Sequence, residues 1–457
     1  MVFSSLIFVL KFLPIALFLM WITPKSYKNA MLLLLSLVFY TWGEVRYVII
    51  MFVSIAIDYT CSNGIENHRD DPKKTKMYLL LSVFGNLSIL FFFKYTDFAI
   101  TLINGAFHTQ IPLLNLTLPL GISFYTFQTM SYTIDVYRGH LKADRNLIDF
   151  GAFVCLFPQL IAGPIVTYGQ IAKELKKRVI TLDKFSEGVR IFIVGLSSKL
   201  LLANSIGLLW DDVLTLGPTR ISTPLAWLGL VAFGFQIYFD FSGYSLMAIG
   251  MGKMLGFEFP DNFNYPYISL SMTEFWKRWH MTLGSWFREY VYIPLGGNRK
   301  GLARQIFNLL IVWFLTGLWH GASINFILWG IYFFVLLASE KLFLLKTLAQ
   351  HKVIARAYFI IGILVGWSIF AITDLHVLSL YISRLFVFKS GIDWIYFTSN
   401  YGVILLACGL FSTPFIAKIK DIKLVAPVLK LSTALLFIIS IAYLVDSTYN
   451  PFLYFRF

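Results

Sequence analysis

The chain has 457 residues, of which 58% are hydrophobic, 18% aromatic and only 14% charged, whereas soluble domains average about 25% charged residues. This composition excludes an ordinary soluble protein and predicts an integral membrane protein built from apolar runs of about 20 residues. The net charge of +14 comes from lysines and arginines in short loops between these runs, so it indicates membrane topology and contact with anionic lipid rather than nucleic-acid binding.

Taken in chain order, the apolar runs predict about 11–12 membrane-spanning helices. The first run lacks basic residues ahead of it and a small-residue cleavage site, so we expect it to remain as a span rather than act as a signal peptide. The predicted spans lie near residues 3–22, 29–43, 46–62, 78–103, 116–134, 187–210, 224–250, 303–319, 323–340, 357–373, 401–417 and 428–446.

Lysine and arginine are concentrated in some of the polar stretches, and such stretches face the cytoplasm in membrane proteins. The stretch 104–115 carries neither residue and 211–223 is net acidic, so both are predicted to be external. The predicted cytoplasmic stretches are 63–77, 173–184, 277–304 and 418–430.

Two regions do not fit simple spans. The apolar run 149–166 contains Pro158, Gly163 and Pro164, and since proline kinks a helix, we expect a broken, re-entrant segment. Residues 257–302 are too polar to span and interleave tryptophan and tyrosine with lysine and arginine. This pattern is typical of helices that lie at headgroup depth.

Polar groups inside apolar runs are expensive in a membrane and therefore indicate function. One cluster includes Asp240 and Tyr244 within the run 224–250, and a second places His320 between two apolar runs. Gly317 and Gly321 are four residues apart, which would put both on one helix face and allow close approach of a helix or substrate.

Of the seven histidines, His320 and His280 are the candidates for a proton acceptor, because imidazole titrates near neutral pH. The alternatives are a packing histidine at 320 and an interfacial residue at 280. The chain has no HExxH, no G-x-S-x-G and no phosphate-binding loop, and its three cysteines stand singly, so we expect neither a metal site nor a serine hydrolase.

Several sequence blocks, in order along the chain, together resemble the membrane-bound O-acyltransferase superfamily and, more narrowly, its alginate O-acetyltransferase branch. The blocks are YFDFSGY (238–244), DNFNYPY (261–267), EFWKRWH (274–280), WFREY (286–290), GGNRKG (296–301) and GLWHGA (317–322), with further blocks at 1–5, 119–124, 135–139, 157–164 and 450–457. The resemblance covers nearly the whole chain. It departs from the family at Leu246, where members usually carry Asp, and at Gly284 and Glu289.

The resemblance implies an all-α integral membrane fold with re-entrant and interfacial helices around a central tunnel. It implies one domain over residues 1–457, with N-terminal spans at 1–110, a catalytic core at about 116–340 and C-terminal spans at 357–446. It also implies an O-acyltransferase of the bacterial plasma membrane. The enzyme would take the acyl group from a cytoplasmic thioester, expected to be acetyl-CoA, and hold no bound cofactor.

The implied acceptor is a hydroxyl of an exported polysaccharide or of a relay partner protein. By the same resemblance, His320 is the general base, and His280 organises the donor side or hydrogen-bonds within the tunnel. Donor contacts are expected at Lys277, Trp279 and Arg288, and the side chains around the site are expected to be Asp240, Tyr244, Trp319 and Asn325.

Two rivals remain open at this point. One is a peptidoglycan or teichoic-acid acyltransferase of the same superfamily. The other is a secondary transporter, because polar clusters in broken helices also mark transporter sites, although the sequence has no evident inverted repeat.

Overall fold

The computed structural model describes residues 2–161, 163–419, 422 and 425–446. Its regular structure over these ranges is helical, with no strand among them, as the sequence predicts. The chain forms two compact units, one of residues 1–192 and 247–260 and the other of residues 193–246 and 261–457. The assignment of one domain with three parts stays a prediction.

The first nine α-helices in chain order are between four and 36 residues long. They are α1 (Leu13–Ile22), α2 (Lys28–Glu44), α3 (Val48–Asn67), α4 (Pro72–Phe107), α5 (Ile122–Tyr137), α6 (Leu147–Cys155), α7 (Phe157–Leu160), α8 (Tyr168–Lys176) and α9 (Leu182–Ser197). A π-helical turn, Phe8–Phe12, precedes α1, and a second one, Ser198–Asn204, follows α9.

The remaining helices in the described part of the chain include five of 19 residues or more and several of five to seven residues. They are α10 (Ser205–Leu216), α11 (Thr223–Met254), α12 (Met272–Trp276), α13 (Met281–Phe287), α14 (Leu302–His320), α15 (Ile324–Ser339), α16 (Leu345–Gln350), α17 (Lys352–Ala371), α18 (Leu375–Phe386), α19 (Asp393–Phe411), α20 (Phe415–Ile419) and α21 (Val425–Asp446).

In the described part of the chain, eight helical stretches are long and apolar enough to cross a membrane: Val48–Asn67, Pro72–Phe107, Leu182–Leu216, Thr223–Met254, Leu302–His320, Ile324–Gln350, Lys352–Ala371 and Asp393–Phe411. The spans expected near 3–22, 29–43 and 116–134 overlap the shorter helices Phe8–Ile22, α2 and α5, although α5 begins only at Ile122. The last span, expected at 428–446, coincides with α21, and block 450–457 lies outside the described residues.

Two predicted boundaries are wrong. The stretch 63–77 is not a long loop, because α3 runs to Asn67 and α4 begins at Pro72. Proline suits the first turn of a helix, and the Asp71 side chain accepts hydrogen bonds from the backbone N–H groups of Lys73 and Lys74. The span expected at 401–417 instead begins at Asp393. The orientation of these stretches to the membrane stays a prediction.

The segment expected to be re-entrant is broken at Leu156 into α6 and α7. Both helices are too short to span a bilayer, and residues 150–160 are all buried in the protein. The N-terminal end of α5 approaches them closely, since a Cβ at Gly121 would overlap the carbonyl oxygen of Leu160. Broken backbone enclosed by protein is the arrangement that a membrane tolerates.

Helix α11 packs tightly against the helical stretch that precedes it. A Cβ at Gly243 would lie 2.7 Å from the carbonyl oxygen of Gly195, and a Cβ at Gly207 would overlap the side-chain amide of Gln236. Small residues at such contacts let backbones approach in membranes, where helices associate through van der Waals packing.

Candidate active site

His320 is the last residue of α14, and the contact between α14 and α15 fixes its place. A Cβ at Gly317 would overlap the carbonyl oxygen of Phe326, and one at Gly330 would overlap that of Trp313. Gly321 lies just beyond the helix in extended backbone, so it does not share a helical face with Gly317 as expected, yet a Cβ there would overlap the ring of Phe326. The crossing therefore depends on the absence of side chains.

Aromatic rings surround the His320 imidazole, which is 7% exposed. Its ring centroid lies 4.9 Å from that of Trp329, 5.3 Å from that of Phe370 and 5.0 Å from that of Trp319. Asn325, fully buried on α15, donates from its amide to the carbonyls of Ile369 at 3.1 Å and Phe370 at 3.3 Å. Asn325 thus holds the backbone of Phe370 at the end of α17, and the ring of Phe370 packs against His320.

His280 lies between α12 and α13 in left-handed backbone, with φ +44° and ψ +52°. It is 3% exposed, and its Nδ1 lies 3.0 Å from Oδ1 of Asn262. The ring of Phe241 on α11 packs edge-on against it at 4.7 Å. Burial lowers the pKa of the His280 imidazole to about 3, because a low-dielectric surrounding disfavours the charged form.

Trp319 joins the two histidines. Its ring centroid lies 5.9 Å from that of His280 and 5.0 Å from that of His320. Three of the residues selected from the sequence therefore meet at one place, although 280 and 320 are forty positions apart in the chain.

Asp240 makes an ion pair that sequence reasoning missed. Lys199, in the π-helical turn Ser198–Asn204, lies with its Nζ 2.6 Å from Oδ1 of Asp240, and both side chains are buried. A lysine inside the predicted span 187–210 was the available signal, since intramembrane charges are paired and functional by default. Tyr244 is fully buried one turn along α11 from Asp240.

The residues expected to meet the donor lie in two different environments. Lys277 is exposed, and the Arg288 side chain is 69% exposed and bonded to Glu289 at 3.0 Å. Trp279 instead packs in the core, with its ring 5.0 Å from that of Phe263 and 4.9 Å from that of Trp367. Contact between Trp279 and a donor stays a prediction.

The Trp and Tyr side chains of residues 257–302 are expected from the sequence to lie at headgroup depth, and the structure corrects this for two of the tryptophans. The helices of this region are of three to seven residues, so it does not span, as expected. However, Trp279 and Trp286 are buried in the protein, because they pack on neighbouring aromatic rings rather than facing outward.

A buried carboxylate and an arginine hold this segment, and neither was selected from the sequence. Glu340 accepts from the backbone N–H groups of Met272 at 2.6 Å and Thr273 at 2.9 Å, at the start of α12. Arg356 on α17 donates to the carbonyls of residues 267, 268 and 269 at 3.0–3.1 Å. Negative charge at helix N–H groups and positive charge at carbonyls are both favourable.

A family model of the membrane-bound O-acyltransferase family matches residues 83–383. The chain is 43% identical over 401 residues to the probable alginate O-acetylase of Pseudomonas syringae pv. tomato, with 86% of this chain and 76% of the relative covered. It is 34% identical over 384 residues to the peptidoglycan O-acetyltransferase of Helicobacter pylori (77% and 72% covered). With the teichoic acid D-alanyltransferase of Bacillus subtilis, identity is 30% over 244 residues (50% and 60% covered). The chain therefore belongs to the membrane-bound O-acyltransferase family and is a multi-pass membrane O-acyltransferase.

Proposed function

We propose that this enzyme is an O-acetyltransferase of the bacterial plasma membrane. It takes the acetyl group from acetyl-CoA on the cytoplasmic side and passes it to a hydroxyl of an exported polysaccharide or of a relay protein. The support is the identity of 40–43% to alginate O-acetylases and of 34% to a peptidoglycan O-acetyltransferase. Family membership favours this enzyme over the transporter alternative.

The observation that carries the proposal is the pair of buried histidines on either side of Trp319. In the proposed reaction, His320 removes the proton from the acceptor hydroxyl while the hydroxyl oxygen attacks the thioester carbonyl. The C–O bond forms, the C–S bond breaks, and the proton passes to the departing thiolate, giving an acetyl ester and free CoA. General-base assistance contributes about two to four powers of ten in rate, and holding both substrates in line adds to it.

The donor side is supported by exposed positive charge. Lys277, Arg288, Arg299 and Lys300 are all exposed and lie in or next to the short helices that follow α11. Cationic side chains attract phosphate groups, and acetyl-CoA carries three of them. The proposed donor approach is along these side chains.

The proposed role of His320 as general base is tested with the variant His320→Gln. Glutamine keeps a hydrogen-bonding side chain but cannot take up a proton at neutral pH, so we expect acetyl transfer to fall by about 10²- to 10⁴-fold with thermal stability unchanged. The measurement is transfer of labelled acetyl from acetyl-CoA by the purified protein, and the exposed His376→Gln is the matched control. A His320→Gln enzyme with wild-type stability and near wild-type rate would disprove the base assignment and make His280 the leading candidate.

The acceptor has a second candidate. The relative from Helicobacter pylori is covered over 72% of its length, which favours a peptidoglycan acceptor as the alternative to an alginate-like polymer. Membranes given labelled acetyl-CoA with each polymer in turn separate the two, because only the true acceptor gains base-labile label.

A further inference from the structure

Asn262 is hydrogen-bonded to three consecutive residues, His280, Met281 and Thr282, and these bonds determine which imidazole nitrogen of His280 carries the proton. The backbone N–H of Met281 donates to the Asn262 carbonyl at 2.9 Å. The side-chain oxygen Oδ1 of Asn262 accepts from the Thr282 N–H at 3.3 Å and from the Thr282 hydroxyl at 2.9 Å. The same oxygen lies 3.0 Å from Nδ1 of His280.

The Thr282 backbone N–H settles the orientation of the amide. A backbone N–H can only donate, so the Asn262 atom that faces it is the carbonyl oxygen and not the NH₂ group. Because that oxygen cannot donate, Nδ1 of His280 must carry the proton. A neutral imidazole has one N–H, and Nε2 is then the acceptor.

We propose that Asn262 is a positioning residue that holds neutral His280 in the Nδ1–H tautomer, so that Nε2 is the acceptor atom that His280 uses in acyl transfer. This inference rests on the proposed function above. The left-handed backbone of His280 supports it, since a non-glycine residue keeps that conformation only where its surroundings over-determine it. The bond from the Met281 N–H to the Asn262 carbonyl and the bond between the His280 and Asn262 side chains supply that restraint.

Given the groups around His280, Asn262 controls which imidazole nitrogen is protonated and not whether the ring is charged. On α11 its neighbour is Phe241, next to Asp240, whose carboxylate is bonded to Lys199. On α14 its neighbour is Trp319, with His320 beyond it. Asp261, next to Asn262, is exposed. With burial keeping the imidazole neutral over the physiological range, the position of its single proton decides what it can do.

The direct test is nitrogen NMR of the protein labelled with ¹⁵N-histidine, with His280→Gln used to assign the signal. We expect the His280 shifts of a protonated Nδ1 and an unprotonated Nε2 at neutral pH. A protonated Nε2 would overturn the inference.

Asn262→Asp extends the test, because a carboxylate accepts the same three hydrogen bonds and adds a negative charge beside Nδ1. An opposite charge at this distance raises an imidazole pKa by about one to three units, so we expect the His280 titration midpoint to rise by that amount. The matched control is Asn264→Asp, an exposed residue of the same segment, for which we expect no such rise. An unmoved midpoint in Asn262→Asp would also overturn the inference.

Rate measurements link the tautomer to acyl transfer. The ratio of kcat/KM for Asn262→Asp to that of the wild type should fall as the pH is lowered through the raised midpoint, because protonation removes the acceptor. A ratio that is constant with pH while the midpoint moves would show that the reaction does not use Nε2. If the wild type transferred no acetyl group at all, the proposed function would fail, while the NMR result would still decide the tautomer.

Discussion

Lys199 and Asp240 are both inside long apolar helices, 2.6 Å apart and almost fully excluded from solvent. Each charge loses its hydration on burial, so the pair contributes little net stability, but a single charge left there without its partner is strongly unfavourable. The pair thereby restricts how α11 and the turn Ser198–Asn204 can align. Since Asp240 precedes Phe241, which packs on His280, that alignment also affects the site.

Removing one partner of this pair should be more harmful than removing both. We expect Lys199→Met alone to lower the free energy of unfolding by about 3–5 kcal/mol, and the double variant Lys199→Met with Asp240→Leu to recover most of it. Thermal unfolding of the purified protein is the measurement. The exposed pair of Lys184 and Glu258, at 2.9 Å, provides the control, because breaking it should change stability little. A single variant as stable as the wild type would contradict the expectation.

At the scale of helices, the crossing of α14 and α15 decides where His320 lies. Gly317 and Gly330 face each other there, with an added Cβ on either one 3.4 Å from the Cα of the other and overlapping a backbone carbonyl. A carbonyl in a helix cannot swing aside like a flexible side chain. The helices can therefore accept a larger residue only by separating.

Gly317→Ala should accordingly reduce activity without removing any polar group. We expect kcat to fall by about tenfold or more, because displacement of reacting groups by as little as 1 Å is costly in rate. The matched control is Gly402→Ala on α19, where an added Cβ meets nothing within 4 Å. Equal kcat values for the two variants would show that the crossing does not position the proposed base, His320.

Helix length and hydropathy predicted most of the long helices, because a bilayer-spanning helix is marked by its composition alone. What the sequence could not supply were contacts between distant positions, such as Asp240 with Lys199 or His280 with Asn262, and the short helices between residues 261 and 292. Their positions depend on tertiary bonds from Glu340 and Arg356. His280, His320 and Trp319 were selected by residue type and resemblance, and only the structure shows that they meet.

Across the whole molecule, apolar side chains dominate the exposed surface of the long helices, as in α4 and α19. That distribution is the one a lipid environment requires. The exposed cations proposed to meet the donor are instead gathered in the segment between α11 and α14. The apolar surface of the long helices and the cations proposed to meet the donor therefore belong to different parts of the chain.

The aromatic and glycine contacts around His320 bear on how the activity of the enzyme depends on ionic strength. Dispersion and steric contacts are not screened by salt, whereas attraction between exposed charges is, since the Debye length falls from about 10 Å at 0.1 M to about 3 Å at 1 M. We therefore expect added salt to raise the KM for the proposed donor, acetyl-CoA, several-fold and to leave kcat unchanged. Replacing both Lys277 and Arg288 with Gln should raise that KM at low salt and flatten its salt dependence. The proposed base would then keep its geometry at salt concentrations that screen the attraction of the donor, so donor binding and the chemical step would respond to salt independently.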